Sequence, residues 1–177
     1  QPSTVYVGTG EASSSADGYF GVGMYRIDNA DTTPTLTGPI NPLVTTGIAN
    51  TTAFTGRTIS KIVVHPTDPA TIFVGTSTGI GGIGATGLSG TVPPLALRGV
   101  YRSTNATSAS PTFTKLTVTA AGSIAPDTSG NRSVSDLVLD PGDSNVLVVG
   151  VVGNAAANDG GCYRSTNALA ATPIFTQ

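Results

Sequence analysis

The side chains able to do chemistry are few, and their spacing excludes most reactions. Gly79-Ile-Gly-Gly-Ile-Gly84 has the spacing of a dinucleotide fingerprint, which works by presenting a helix N-terminus to a pyrophosphate. The residues that follow, Ala-Thr-Gly-Leu-Ser-Gly-Thr-Val-Pro-Pro, form no helix, so the stretch reads as a loop. Gly75-Thr-Ser-Thr-Gly79 has the spacing of a nucleophile elbow, but that arrangement needs a histidine after the serine. The one histidine, His65, comes before it and cannot by itself build a multi-histidine metal site. No metal set and no cofactor is read. The single cysteine, Cys162, rules out an internal disulfide; it sits at an apolar strand position and reads as a buried small hydrophobe.

What remains is charge and hydrogen bonding. Arg57 and Arg132 each open a near-identical apolar run. A guanidinium at such a site clamps a carboxylate or sulfate with two parallel bonds, or else pairs with a carboxylate of the chain such as Glu11 or Asp136. Glu11, Asp17 and Tyr19 cluster in one glycine-bounded loop and Asp159 in another. Variable loops on a rigid frame are where binding residues usually sit. Glycoside hydrolysis needs two carboxylates flanking one bond, and the spacing of Glu11 and Asp17 singles out no such pair. No catalytic residue is assigned.

The elements that must position these residues emerge from internal repetition. Arg57-Thr-Ile-Ser-Lys-Ile-Val-Val-His-Pro-Thr-Asp68 aligns without a gap on Arg132-Ser-Val-Ser-Asp-Leu-Val-Leu-Asp-Pro-Gly-Asp143. Pro2-Ser-Thr-Val-Tyr-Val-Gly-Thr9 parallels Pro69-Ala-Thr-Ile-Phe-Val-Gly-Thr76. A third element recurs as Gly23-Met-Tyr-Arg-Ile-Asp-Asn-Ala30, Gly99-Val-Tyr-Arg-Ser-Thr-Asn-Ala106 and Gly161-Cys-Tyr-Arg-Ser-Thr-Asn-Ala168. Each copy runs on to a strand start at Pro34, Pro111 or Pro173. The unit is therefore a strand A, a turn at Asp68 or Asp143, a strand B, a variable loop, a strand C, a turn at Asn29, Asn105 or Asn167, and a strand D. Four short antiparallel strands per repeat describe a β-propeller blade. The reading is all-β: residues 1–40 form a blade lacking strand A, 57–118 a complete blade and 132–177 a complete or nearly complete one. This amounts to two and a half to three blades of a seven-bladed or larger ring. Such a segment exposes apolar faces, so the expected partners are the remaining blades of the same protein or other copies.

Composition fits this class. Val, Ile and Thr favour pleated, half-buried surfaces, and the 23 glycines and 12 prolines punctuate them. Only 10% of residues are charged, the net charge is −2, and the eight Lys and Arg are scattered singly, which excludes a nucleic-acid surface. The longest aliphatic run, Val146 to Val152, is too short to span a bilayer. The chain opens in strand sequence, so any export signal is expected to be removed or to lie upstream. Low charge, many hydroxyls and sequons at Asn50, Asn105 and Asn131 place the protein outside the cell or at its surface.

The C–turn–D element resembles the Asp-box, or BNR, repeat of sialidases, sortilin-type receptors and xyloglucan-degrading propellers. Val5-Tyr-Val-Gly-Thr-Gly-Glu11 and Gly99-Val-Tyr-Arg-Ser-Thr104 are likewise similar to stretches of secreted bacterial BNR-like proteins. The family box runs Ser-x-Asp-x-Gly-x-x-Trp; here Asn105 and Asn167 stand for the Asp, Ala106 and Ala168 for the Gly, and Phe113 and Phe175 arrive later in place of Trp. The resemblance implies that these turns are structural and lie opposite a ligand-binding face. The function expected is a non-catalytic extracellular module binding glycan or protein. A glycoside hydrolase with carboxylates partly outside the segment, or a structural subunit of a surface layer or filament, are the alternatives.

Overall fold

The computed structural model describes residues 3–12, 18–44, 51–79, 95–118, 132–153 and 160–177. They form eleven strands in three antiparallel sheets, with no helix among them. Sheet I holds β1 (Val5–Gly8), β2 (Met24–Asp28) and β3 (Thr35–Ile40). Sheet II holds β4 (Arg57–His65), β5 (Asp68–Gly79), β6 (Gly99–Ser103) and β7 (Thr114–Lys115). Sheet III holds β8 (Val134–Leu139), β9 (Leu147–Val151), β10 (Gly161–Ser165) and β11 (Phe175–Thr176). Each sheet is an up-and-down meander, and the described sheets do not close on one another.

Register follows the sequence repeat. Tyr6 faces Arg26 in sheet I, Phe73 faces Arg102 in sheet II, and Val148 faces Arg164 in sheet III. One further strand out, Arg26, Arg102 and Arg164 face Thr37, Thr114 and Thr176. The glycine that opens each Gly-x-Tyr-Arg element, at 23, 99 and 161, has φ between +132 and +146°, a backbone that L side chains rarely adopt. Glycine is required there to turn the chain into the strand.

The strands are apolar on both faces because the sheets stack, and successive residues point to opposite seams. Between sheets I and II lie Met24, Phe54, Ile59, Ile72, Val74, Tyr101 and Phe113, with the rings of Phe54 edge-on to Tyr101 and Phe113. Between sheets II and III lie Phe73, Val100, Leu137, Leu147, Val149, Tyr163 and Phe175. Gly75 lets the sheets close up: an added Cβ would come within 2.8 Å of Val134. At equivalent positions of β4 and β8, Lys61 and Asp136 form an ion pair at 3.1 Å across the second seam.

Two expectations are corrected. Cys162 is exposed, whereas its repeat equivalents Met24 and Val100 are fully buried, because no described sheet covers the far side of sheet III. Arg57 pairs with neither Glu11 nor Asp136. Asp136 goes to Lys61, and the Glu11 carboxylate accepts from the Tyr19 amide. Among the described residues no helix is long and apolar enough to cross a membrane.

Candidate functional site

The meander sends the β1–β2, β5–β6 and β9–β10 connections to one end of the stack, together with the first residues of β4 and β8. The short turns lie at the other end. The Glu11, Tyr19, Arg57 and Arg132 candidates all fall at the loop end, while Asp17 and Asp159 lie outside the described residues, as does most of the Gly79–Gly84 stretch. Gly75-Thr-Ser-Thr-Gly79 lies within β5 and is strand, not elbow.

The described residues on the two flanks of the first loop are joined to each other by hydrogen bonds. The Glu11 amide donates to the Tyr19 carbonyl at 2.8 Å, and the Tyr19 amide returns a bond to Glu11 Oε2 at 3.2 Å. Thr9 Oγ1 accepts from the amides of Val22 and Gly23 and donates to the Gly23 carbonyl. Gly21 exchanges backbone bonds with the start of sheet II, donating to Arg57 and accepting from Gly56. The second flank carries aromatic surface: Tyr19 is 76% exposed and the adjacent Phe20 48%. Glu11 is spent on closing the loop. Phe20 is a residue that sequence reasoning missed, although the Gly-Tyr-Phe-Gly run from Gly18 to Gly21 marks it.

Arg57 is 1% exposed. Its Nε donates to the Ala96 carbonyl at 2.8 Å, while Nη1 and Nη2 have no partner. Burial, with the charge of Arg98 adding to it, pushes its pKa down to about 10. A guanidinium so enclosed offers a ligand no approach. Arg132, two residues before β8, is partly buried and engaged.

At the turn end the Asn residues organise the chain. Asn105 Oδ1 accepts from the Thr112 amide at 2.8 Å, and Asn167 Oδ1 accepts from the Ile174 amide at 2.8 Å. Each also takes the hydroxyl of the serine two residues before it, whose oxygen accepts the Asn amide. Asn29 holds a left-handed φ of 53°, which asparagine tolerates. Asp68 Oδ1 accepts from the Ala70 amide and Oδ2 from the Thr71 hydroxyl, holding its carboxyl below the usual range; Asp143 caps its turn by accepting from the Asn145 amide. Thr4, Asp28, Asn29, Asp68 and Thr107 line an open groove of about 480 Å³ here. Its two carboxylates are already engaged, Asp28 by Arg26 and Asp68 by its own turn. No metal-holding group of His, Cys, Asp and Glu occurs among the described residues.

The arginine of the repeated Gly-x-Tyr-Arg element, to which sequence reasoning gave no role, bridges the sheets. Arg26 Nη1 in sheet I donates to the Ala106 and Ser108 carbonyls of the sheet II turn, at 2.8 and 3.1 Å. Arg102 Nη1 in sheet II donates to the Ala168 and Ala170 carbonyls of the sheet III turn, at 2.7 and 2.6 Å. The signal was its recurrence after every repeated tyrosine. No protein-family model, curated protein or solved structure matches the chain.

Proposed function

We propose that the three sheets are successive blades of a β-propeller and that the chain is a non-catalytic extracellular module that recognises a glycan at its loop end. The observation that carries the glycan reading is the Tyr19–Phe20 pair, exposed on a flank of the first loop that is bonded to Glu11 and, through Gly21, to the start of sheet II. An aromatic face offers apolar area at little conformational cost, and the tyrosine adds a polar tip. The bonds at Tyr19 and Gly21 hold the backbone on either side of the pair, so binding does not have to order those residues. The blade reading rests on the shared order and register of the outer three strands of each sheet and on the repeated arginine bridges between the sheets. Low charge and abundant hydroxyl residues support an extracellular setting.

The test is retention of a glycan panel on the immobilised chain, with analysis of the eluate for cleaved sugar. Retention without turnover is expected, and it should vanish in the double variant Tyr19→Ala, Phe20→Ala while the melting temperature stays put. Release of cleaved product would assign an enzyme instead. Capture of peptides but of no glycan would move the module to protein recognition.

A further inference from the structure

Arg57 has donors that its own chain does not satisfy. Its Nε donates to the Ala96 carbonyl, but neither Nη1 nor Nη2 meets an acceptor, and the residue is 1% exposed. Buried polar groups almost always have a partner, and an orphaned charged donor is the costliest exception. No described carboxylate serves: Glu11 accepts from Tyr19, Asp136 from Lys61 and Asp28 from Arg26. Residues 80–94, which join Gly79 to the Ala96 segment, contain no Asp or Glu. The guanidinium is enclosed by this chain itself, so its partner has to be small.

Charge chooses among small partners. Arg98 lies two residues beyond the Ala96 carbonyl that Arg57 holds, with its own Nη1 on Ser133 Oγ. It stands near enough to oppose the Arg57 charge, and this adds to burial in lowering the Arg57 pKa. Water would satisfy the Nη donors but not the repulsion; an anion does both. The Arg57 side chain lies across Gly79, its partner in the β4–β5 ladder, where an added Cβ would come within 3.1 Å of Nη1. Glycine at 79 leaves the space beside that nitrogen unfilled by a side chain.

From the orphaned donors, the second cation and the glycine beside them we infer that Arg57 holds a small monovalent inorganic anion, of the chloride class, on Nη1 and Nη2 at the junction of sheets I and II. Enclosure shuts out a sugar carboxylate, which brings its ring with it. An ion of one atom needs only a local opening to enter. In chloride-free solution Arg57 stands unpaired, and the bound ion removes that penalty. Binding to the folded chain alone makes the ion a stabiliser of the junction. The inference is independent of the glycan reading.

The test is urea denaturation of the full chain, with sodium chloride exchanged for sodium gluconate at constant sodium. Gluconate carries the same charge and is too large to enter. The folding equilibrium constant of wild type should rise about tenfold for each tenfold increase in chloride above the dissociation constant. Arg57→Met should gain nothing, and any advantage it has over wild type should shrink as chloride rises. Arg57→Gln replaces it if it fails to fold by circular dichroism. Crystals grown in bromide should show anomalous scattering within hydrogen-bond reach of Nη1 and Nη2. Wild-type stability indifferent to chloride would overturn the inference and leave water as the partner. So would equal gains in wild type and Arg57→Met, which mark a general salt effect, or bromide found only elsewhere.

Discussion

Arg102 Nη1 lies 2.7 Å from the carbonyl oxygen of Ala168, a residue of the next sheet that is itself fully buried. The bond joins the middle of strand β6 to the turn before β11, so the seam between sheets II and III is fixed by directed bonds as well as by apolar contact. Burial lowers the pKa of this guanidinium, consistent with a charge drawn into the seam and satisfied there by carbonyl oxygens.

Arg102→Ala should therefore lower stability by about 2 kcal/mol, since two bonds from a charged donor are lost and the Ala168 carbonyl is left without them. For a chain of this size that is a fall of roughly 4–8 °C in melting temperature. Arg164→Ala, at the equivalent but exposed position, should change the melting temperature by no more than about 1–2 °C, as surface substitutions do. Equal effects of the two changes in thermal denaturation would mean that the bridge contributes nothing.

The asparagine turns make a second prediction. Asn105 Oδ1 takes three donors: the Thr112 amide, the Thr112 hydroxyl and the Ser103 hydroxyl. Asn105→Ala should cost about 0.5–1.5 kcal/mol, or more where the Thr112 amide loses its only acceptor. Asn105→Asp keeps an oxygen acceptor in the same place and should be nearly neutral. Chemical denaturation of the three proteins decides it. An Asn105→Asp loss as large as that of Asn105→Ala would show that the amide nitrogen carries the role instead.

Strand order, register and turn positions were legible because the sequence states them two or three times over; Ile62 and Leu137, or Tyr101 and Tyr163, sit at matching places because they are the same position of one unit. What pairs between units was not legible. The partner of Arg102 is Ala168, and nothing in a run of small residues marks a carbonyl as an acceptor. Arg57 misled for the opposite reason. Its repeat equivalence to Arg132 suggested a clamp or a pair with a carboxylate of the chain, yet packing against sheet I and the Ala96 segment encloses it. Cys162 misled because burial in a stacked sheet depends on the neighbour, which no local pattern encodes.

Tyr6 gives a prediction in pH. Its hydroxyl donates to the Pro69 carbonyl at 2.7 Å, tying β1 of sheet I to the start of β5 in sheet II. Burial pushes its pKa up to about 12. The folded state thus holds the phenol proton more tightly than the unfolded chain. The Tyr6 contribution is complete below pH 10 and is lost as pH rises from there toward 12. Tyr6→Phe should be less stable than wild type by about 0.5–1.5 kcal/mol at pH 8, and the gap should close by pH 12. Tyr101, also raised by burial, is present in both proteins and cancels in the difference. A gap that stays constant across the titration would mean that the Tyr6–Pro69 bond does not depend on the phenol proton.

Arg57 yields the last prediction. It is among the largest fully buried side chains of the described residues, and two of its three guanidinium nitrogens have no partner. Among the described residues no carboxylate pairs with it, and Arg98 stands near enough to oppose its charge. Desolvating an unpaired cation costs several kcal/mol, and its bond to Ala96 returns only part of that. Methionine has similar length, fits irregular space and carries no charge to desolvate. Arg57→Met should therefore leave stability unchanged or raise it by about 1–4 kcal/mol at neutral pH, read as a shift in denaturant midpoint with unchanged slope. The folded-state pKa is depressed to about 10, so the folded form binds fewer protons than the unfolded chain above that pH. The penalty fades as wild-type Arg57 gives up its proton, and the advantage of the methionine variant should shrink as pH rises above 10. A loss of more than about 2 kcal/mol in Arg57→Met would show that the guanidinium is a net stabiliser of the sheet I–sheet II junction.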